Sequence, residues 1–132
     1  MIQPLMLMFI NNLYKIIDKV YYGEEARVTI ELDSDSVIYK AHFPGNPITP
    51  GACIFEMGRE IASLILEKDL LLEKADNIKF LMGIHPVETP RVTFMLQMTE
   101  QGQGLWKVRT EVKNGDNVMT KMTLWLKETK YV

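Results

Sequence analysis

A single helical segment set among alternating strands is the feature that most limits how this chain of 132 residues can fold. From residue 50 to about 68, Ile54, Ile61 and Ile65 form one stripe at helical spacing, and Phe55, Ala62 and Leu66 recur beside it. Gly58 lies between the stripes, where a neighbouring element can approach closely. The start of the helix is signalled by Thr49 as N-cap and by Pro50 at the first helical position, where a missing N–H costs nothing. Such a start leaves the Gly51 N–H without an acceptor inside the helix.

Elsewhere the period is two. Val28-Thr29-Ile30-Glu31-Leu32 alternates apolar and polar residues, and Val37-Ile38-Tyr39-Lys40-Ala41-His42-Phe43 is strand-like though less regular. Asp33-Ser34-Asp35-Ser36 supplies turn chemistry between them, so a hairpin is expected there. Residues 78–82, 91–98, 106–112 and 118–126 are four further strand candidates, the last two joined by residues 113–117 with Asn114-Gly115 inside, a strong hairpin signal. One long helix and about six antiparallel strands predict an α+β domain whose sheet curls around the helix to cover its apolar faces. Neither an internal repeat nor a low-complexity linker divides the chain, so residues 1–132 are expected to form one domain, with 1–12 as an N-terminal arm.

Composition narrows the function. Hydrophobic residues make up 47% and charged residues 24%, the balance of a globular domain. Fifteen basic against seventeen acidic side chains, a net charge of −2, give no global positive field, which argues against nucleic acid as a partner. One cysteine, Cys53, cannot form an internal disulfide, and one Cys with two His cannot assemble a zinc site; a reducing, cytoplasmic setting is expected. The run Leu5-Met6-Leu7-Met8-Phe9-Ile10 is too short to span a bilayer and lacks the flanks of a secretory signal. It is expected to pack on the domain or on a partner subunit, with no membrane span.

The chemistry gathers between residues 42 and 56. Three of the six prolines, Pro44, Pro47 and Pro50, stiffen the loop from His42 to the helix, which places His42 reproducibly. Glu56 follows Gly51 by five residues, in the early turns of the helix. Each residue also has a plain structural explanation: a histidine ending a strand is more often a satisfied side chain than a base. Glu56, Glu60, Ser63 and Glu67 stand at spacings of four, three and four, which makes one solvated helix face. Periodicity alone favours that explanation for Glu56.

The run itself points elsewhere. His42, Phe43, Pro44, Gly45, Pro47, Pro50, Gly51 and Glu56 fill all eight fixed positions of H-F-P-G-x-P-x-x-P-G-x-x-x-x-E. This closely resembles the signature of the β-hydroxyacyl-acyl carrier protein dehydratases, hotdog-fold enzymes of fatty-acid synthesis, and weaker likeness extends to residues 16–20 and 78–81 as strands before and after the helix. The resemblance implies a curved antiparallel sheet wrapped around one helix. It also implies a homodimer with two sites, each drawing His42 from one subunit and Glu56 from the other, and dimers that can assemble into hexamers. The expected activity is removal of water from a 3-hydroxyacyl thioester: His42 takes the C2 proton, the Gly51 N–H stabilises the thioester oxygen, and Glu56 protonates or orients the leaving hydroxyl. Glu rather than Asp at position 56 favours simple dehydration over isomerisation. No cofactor is expected, because the substrate itself carries phosphopantetheine on acyl carrier protein, an acidic partner.

Such a partner requires a local basic patch, for which Lys40, Arg59 and Lys79 are candidates; Met57, Met82, Met95 and Met98 are candidates for an adaptable acyl tunnel, with core packing as the plainer role. Glu60 departs from the Gln usual in the family and points to a specialised substrate. Pro86-Val87-Glu88-Thr89-Pro90 replaces the family's Pro-Gly-Asp turn, and His85, outside the motif, is expected to be structural or on the surface. A hotdog thioesterase, or a non-catalytic subunit that binds acyl thioesters or serves as a partner, is the alternative function.

Overall fold

The computed structural model describes residues 8–42 and 44–132. Six strands form one antiparallel sheet: β1 (Tyr14–Tyr22), β2 (Glu25–Leu32), β3 (Leu70–Phe80), β4 (Arg91–Gly102), β5 (Leu105–Asn114) and β6 (Asn117–Glu128). Their order across the sheet is β1-β2-β4-β5-β6-β3, so β1 and β3 are the edges. Two helices connect β2 to β3, the short α1 (Val37–Ala41) and the long α2 (Gly51–Leu66). Because β2 and β3 lie on opposite sides of the sheet, the chain must cross its inner face between them. Helix α2 makes that crossing, at about 1.5 Å per residue, and becomes the core.

The burial pattern follows from strand alternation. Val28 and Ile30 of β2, Phe94 and Leu96 of β4, Val108 and Val112 of β5 and Leu124 and Leu126 of β6 all turn inward. They meet Ile54, Met57, Ile61 and Ala62 of α2. Gly58 is the close approach anticipated from the helical stripes: a Cβ there would lie 2.7 Å from Leu124 Cδ1. The β5–β6 hairpin also forms as expected, with Asn114 paired to Asn117 and Gly115 at φ 60° in the two-residue turn.

Three expectations give way. Residues 37–41 are helix α1, and no hairpin joins residues 28–32 to them: Ser36 caps α1, its Oγ accepting from the Ile38 N–H at 3.3 Å, so one buried aromatic, Tyr39, is satisfied by a single helical turn. The hairpin partner of β2 is instead β1, through a turn at Gly23-Glu24. Helix α2 begins one residue later than Pro50; Pro50 is the N-cap and Thr49 does not cap, because its hydroxyl is used elsewhere. Strand β3 starts at Leu70, well before residue 78, and ends at Phe80.

Of the expected N-terminal arm, residues 1–7 lie outside the described residues. Phe9 and Ile10 pack against the core. No helix among the described residues is long and apolar enough to cross a membrane.

Candidate active site

The loop between α1 and α2 is held by a chain of hydrogen bonds. Burial pushes the Tyr39 phenol up to about 12, so it stays a donor. It donates to Thr49 Oγ1 at 2.7 Å, and Thr49 in turn donates to the Ile84 carbonyl at 3.0 Å. The Thr49 N–H reaches the same carbonyl at 2.9 Å. His85 lies beside it, Nδ1 3.2 Å from the Pro47 carbonyl, which is the structural role expected of it. Segment 84–85 therefore clamps the proline loop from outside, adding tertiary restraint to the stiffness of three prolines.

His42 is the C-cap of α1, its N–H bonded to the Ile38 carbonyl, and it is exposed. Phe43 of the motif lies outside the described residues. Gly51 is the first residue of α2, where helix geometry leaves its N–H unpaired and the macrodipole adds positive potential. Phe80, at the end of edge strand β3, packs directly on Gly51: a Cβ at Gly51 would lie 2.7 Å from its ring. The same ring stacks on Phe55, centroids 6.0 Å apart.

Glu56 is not part of a solvated face. Its side chain is 25% exposed and both carboxylate oxygens engage Arg59, with Nε at 2.9 and 3.1 Å. Arg59 is buried and also donates from Nη1 to the Leu70 carbonyl at 2.9 Å, so it cannot belong to a surface basic patch. Sequence reasoning misplaced this residue, although the i,i+3 spacing from Glu56 was a usable signal. Lys40 and Lys79 are exposed.

One turn further, Glu60 is fully buried and Ser63 nearly so, leaving Glu67 as the exposed member of the expected face. Glu60 accepts from the Phe9 N–H at 2.9 Å, the Ile10 N–H at 3.0 Å and the Tyr14 hydroxyl at 2.9 Å. Burial, together with the Glu60 charge, holds the Tyr14 phenol far above its ordinary range. The N-terminal segment thus covers the helix face that periodicity assigned to solvent.

A match to the ApeI dehydratase family model, ApeI-like, spans residues 19–121. The chain belongs to the ApeI-like dehydratase family. It is 28% identical over 109 residues to a 3-hydroxyacyl-acyl-carrier-protein dehydratase FabZ of Lactobacillus helveticus, covering 77% of this chain and 72% of that one. The FabZ of Lactiplantibacillus plantarum is 26% identical over 107 residues, 76% of this chain and 71% of the relative. Among solved structures, the dehydratase heterocomplex ApeI:P from Xenorhabdus doucetiae matches with TM-score 0.64 at 19% identity, over 86% of this chain and 96% of that one. An HP0420 homologue from Helicobacter felis matches with TM-score 0.66 at 13% identity, over 89% of each chain. The fold is the hotdog fold, α+β as expected.

Within one chain, Gly51 and Glu56 share α2, while no hydrogen bond or ion pair among the described residues joins His42 to either. A groove of about 850 Å³ runs over the outer face of the sheet, and none of His42, Gly51 and Glu56 lines it. The four methionines are not brought together: Met57 and Met98 are in the core, Met95 lines the outer groove, and Met82 is exposed beyond β3.

Proposed function

We propose that this protein dehydrates 3-hydroxyacyl thioesters, carried on acyl carrier protein, to trans-2-enoyl thioesters in the synthesis of fatty acids or related acyl chains. The observation that carries the reading is Gly51 at the first position of a 16-residue helix, with an oriented, unpaired N–H, flanked by His42 before it and Glu56 after it. Dehydration needs a base for C2, a donor for the enolate-like oxygen and a group at the departing hydroxyl. Neutral His42 takes the C2 proton, the Gly51 N–H bonds the thioester oxygen as negative charge builds, and Glu56 protonates or orients the hydroxyl, directly or through a water.

The proposed unit is a homodimer in which each site takes His42 from one chain and Glu56 from the other. Edge strand β3 and its continuation support that pairing, since Phe80, Leu81 and Met82 are each about half exposed there, beside Gly51. The FabZ relatives act, by their names, on carrier-linked 3-hydroxyacyl groups, which favours the same carrier here. Lys40 and Lys79 remain candidates to meet an acidic carrier.

The test is to supply 3-hydroxyacyl, 2-enoyl and saturated acyl thioesters to the pure protein and to follow conjugation and free thiol separately. Interconversion of the first two without thiol release is expected. Thiol release without enoyl formation would assign a thioesterase instead, and neither activity would assign a binding or partner role.

A further inference from the structure

A guanidinium with a side-chain exposure of 6% demands anionic and carbonyl partners, and Arg59 finds them in Glu56 and in the Leu70 carbonyl. Its Nε reaches both oxygens of Glu56 and its Nη2 also reaches Oε1, so three contacts fix the carboxylate in orientation. The anchor on Leu70, at the start of β3, keeps the fork itself from turning. Among the described residues, the titratable groups near Glu56 are Arg59, Glu60 and Cys53 on α2 and Tyr14 from β1. Arg59 is the cation of that set, and its fork leaves Glu56 with lone pairs to accept an O–H.

We propose that Arg59 is a positioning residue that holds the Glu56 carboxylate in place as an acceptor, so that Glu56 orients the departing 3-hydroxyl while His42 returns to it the proton taken from C2. The inference rests on the dehydratase reading and selects, for Glu56, orientation over proton donation. The step balances: the C2–H electron pair becomes the new π bond, the C3–O pair leaves with oxygen, and the imidazolium proton of His42 completes water. His42 ends neutral, ready for the next turnover.

Two measurements test this. In enoyl hydration and hydroxyacyl dehydration, Arg59→Gln should lower kcat on the order of 10²-fold with KM within about threefold. Arg59→Lys should lie between. A kcat near wild type, or an equal rise of KM and fall of kcat, would mean that Glu56 needs no positioning by Arg59 and would overturn the proposal. Glu56→Gln, at a partly exposed position, serves if Arg59→Gln does not fold: an amide still accepts, so its kcat should exceed that of Glu56→Ala at least about tenfold, and equal losses would again overturn the proposal.

The second measurement is calorimetric binding of unreactive acyl thioether analogues with and without the 3-hydroxyl. Wild type should prefer the hydroxylated analogue about tenfold, and Arg59→Gln and Glu56→Ala should lose that preference. Absence of the preference in wild type refutes the Arg59–Glu56 role even if dehydration occurs. Preference without turnover refutes dehydration and leaves the role standing.

Discussion

Replacing Glu60 removes an acceptor from three donors at once, and the structure fixes what each loss costs. The Tyr14 hydroxyl is buried with Glu60 as its partner, so in Glu60→Leu it is stranded, at about 1–3 kcal/mol. The Phe9 and Ile10 N–H groups are half-buried, where water can take over part of the loss, and about 1 kcal/mol each is appropriate. The charge removed had itself been costly to bury, which offsets part of the sum. Glu60→Leu should therefore destabilise by roughly 3–4 kcal/mol, and Glu60→Gln, which keeps one carbonyl but turns an NH₂ toward a donor, by about 1–2 kcal/mol. Urea unfolding at constant m reads both as shifts of the midpoint. Tyr14→Phe in the Glu60→Leu background should cost less than in wild type, because the stranded hydroxyl is gone. A Glu60→Leu protein within about 1 kcal/mol of wild type, or one more stable than Glu60→Gln, would refute the clamp.

His42→Ala should lose about 10²–10⁴-fold in kcat with an unchanged unfolding midpoint, because the side chain is exposed; a parallel loss of stability would return it to a structural role. Gly58→Ala should destabilise by about 0.5–2 kcal/mol in thermal unfolding, since the new methyl would lie 2.7 Å from Cδ1 of the fully buried Leu124 and the gain in helix propensity is smaller. Glu128 is held below the usual carboxylate range, first by the Trp106 indole N–H at 3.0 Å and then by Lys68 and Lys130. Its contribution is present above the unfolded carboxylate range and is lost as pH falls through the lowered folded value, so Glu128→Gln should be less stable than wild type at neutral pH and equal to it in strong acid, measured by unfolding across pH.

Local signals carried the parts of the fold that local physics decides. Asn114-Gly115 forms the tight turn because glycine accepts positive φ, and the stripes of Ile54, Ile61 and Ile65 and of Phe55, Ala62 and Leu66 pack on the core because helical period fixes which residues share a face. What covers a face is a tertiary matter. The spacing that Glu60 shares with Glu67 reads as solvated, yet the segment around Phe9 and Tyr14, some fifty residues away in sequence, folds over Glu60. Arg59 was misjudged for the same reason: a charged residue reads as surface until its partners, Glu56 and the Leu70 carbonyl, are seen. Residues 37–41 were ambiguous because one turn of helix and a short strand can bury the same single aromatic, and the Ser36 cap decides between them. For the site, the motif names His42, Gly51 and Glu56, but in the proposed dimer their meeting depends on a second chain, which no period or cap encodes.

If two chains pool His42 and Glu56 into one dehydratase site, mixed dimers of two inactive variants should restore it. His42→Ala and Glu56→Ala proteins, each inactive alone, are unfolded together, refolded, and assayed for enoyl formation from a 3-hydroxyacyl thioester. At random pairing about half of the dimers are mixed, each with one doubly damaged and one intact site, so activity should return to about a quarter of wild type. No recovery, in a mixture shown to contain the mixed dimer, would mean that His42 and Glu56 act from the same chain or that Glu56 has no part in the site.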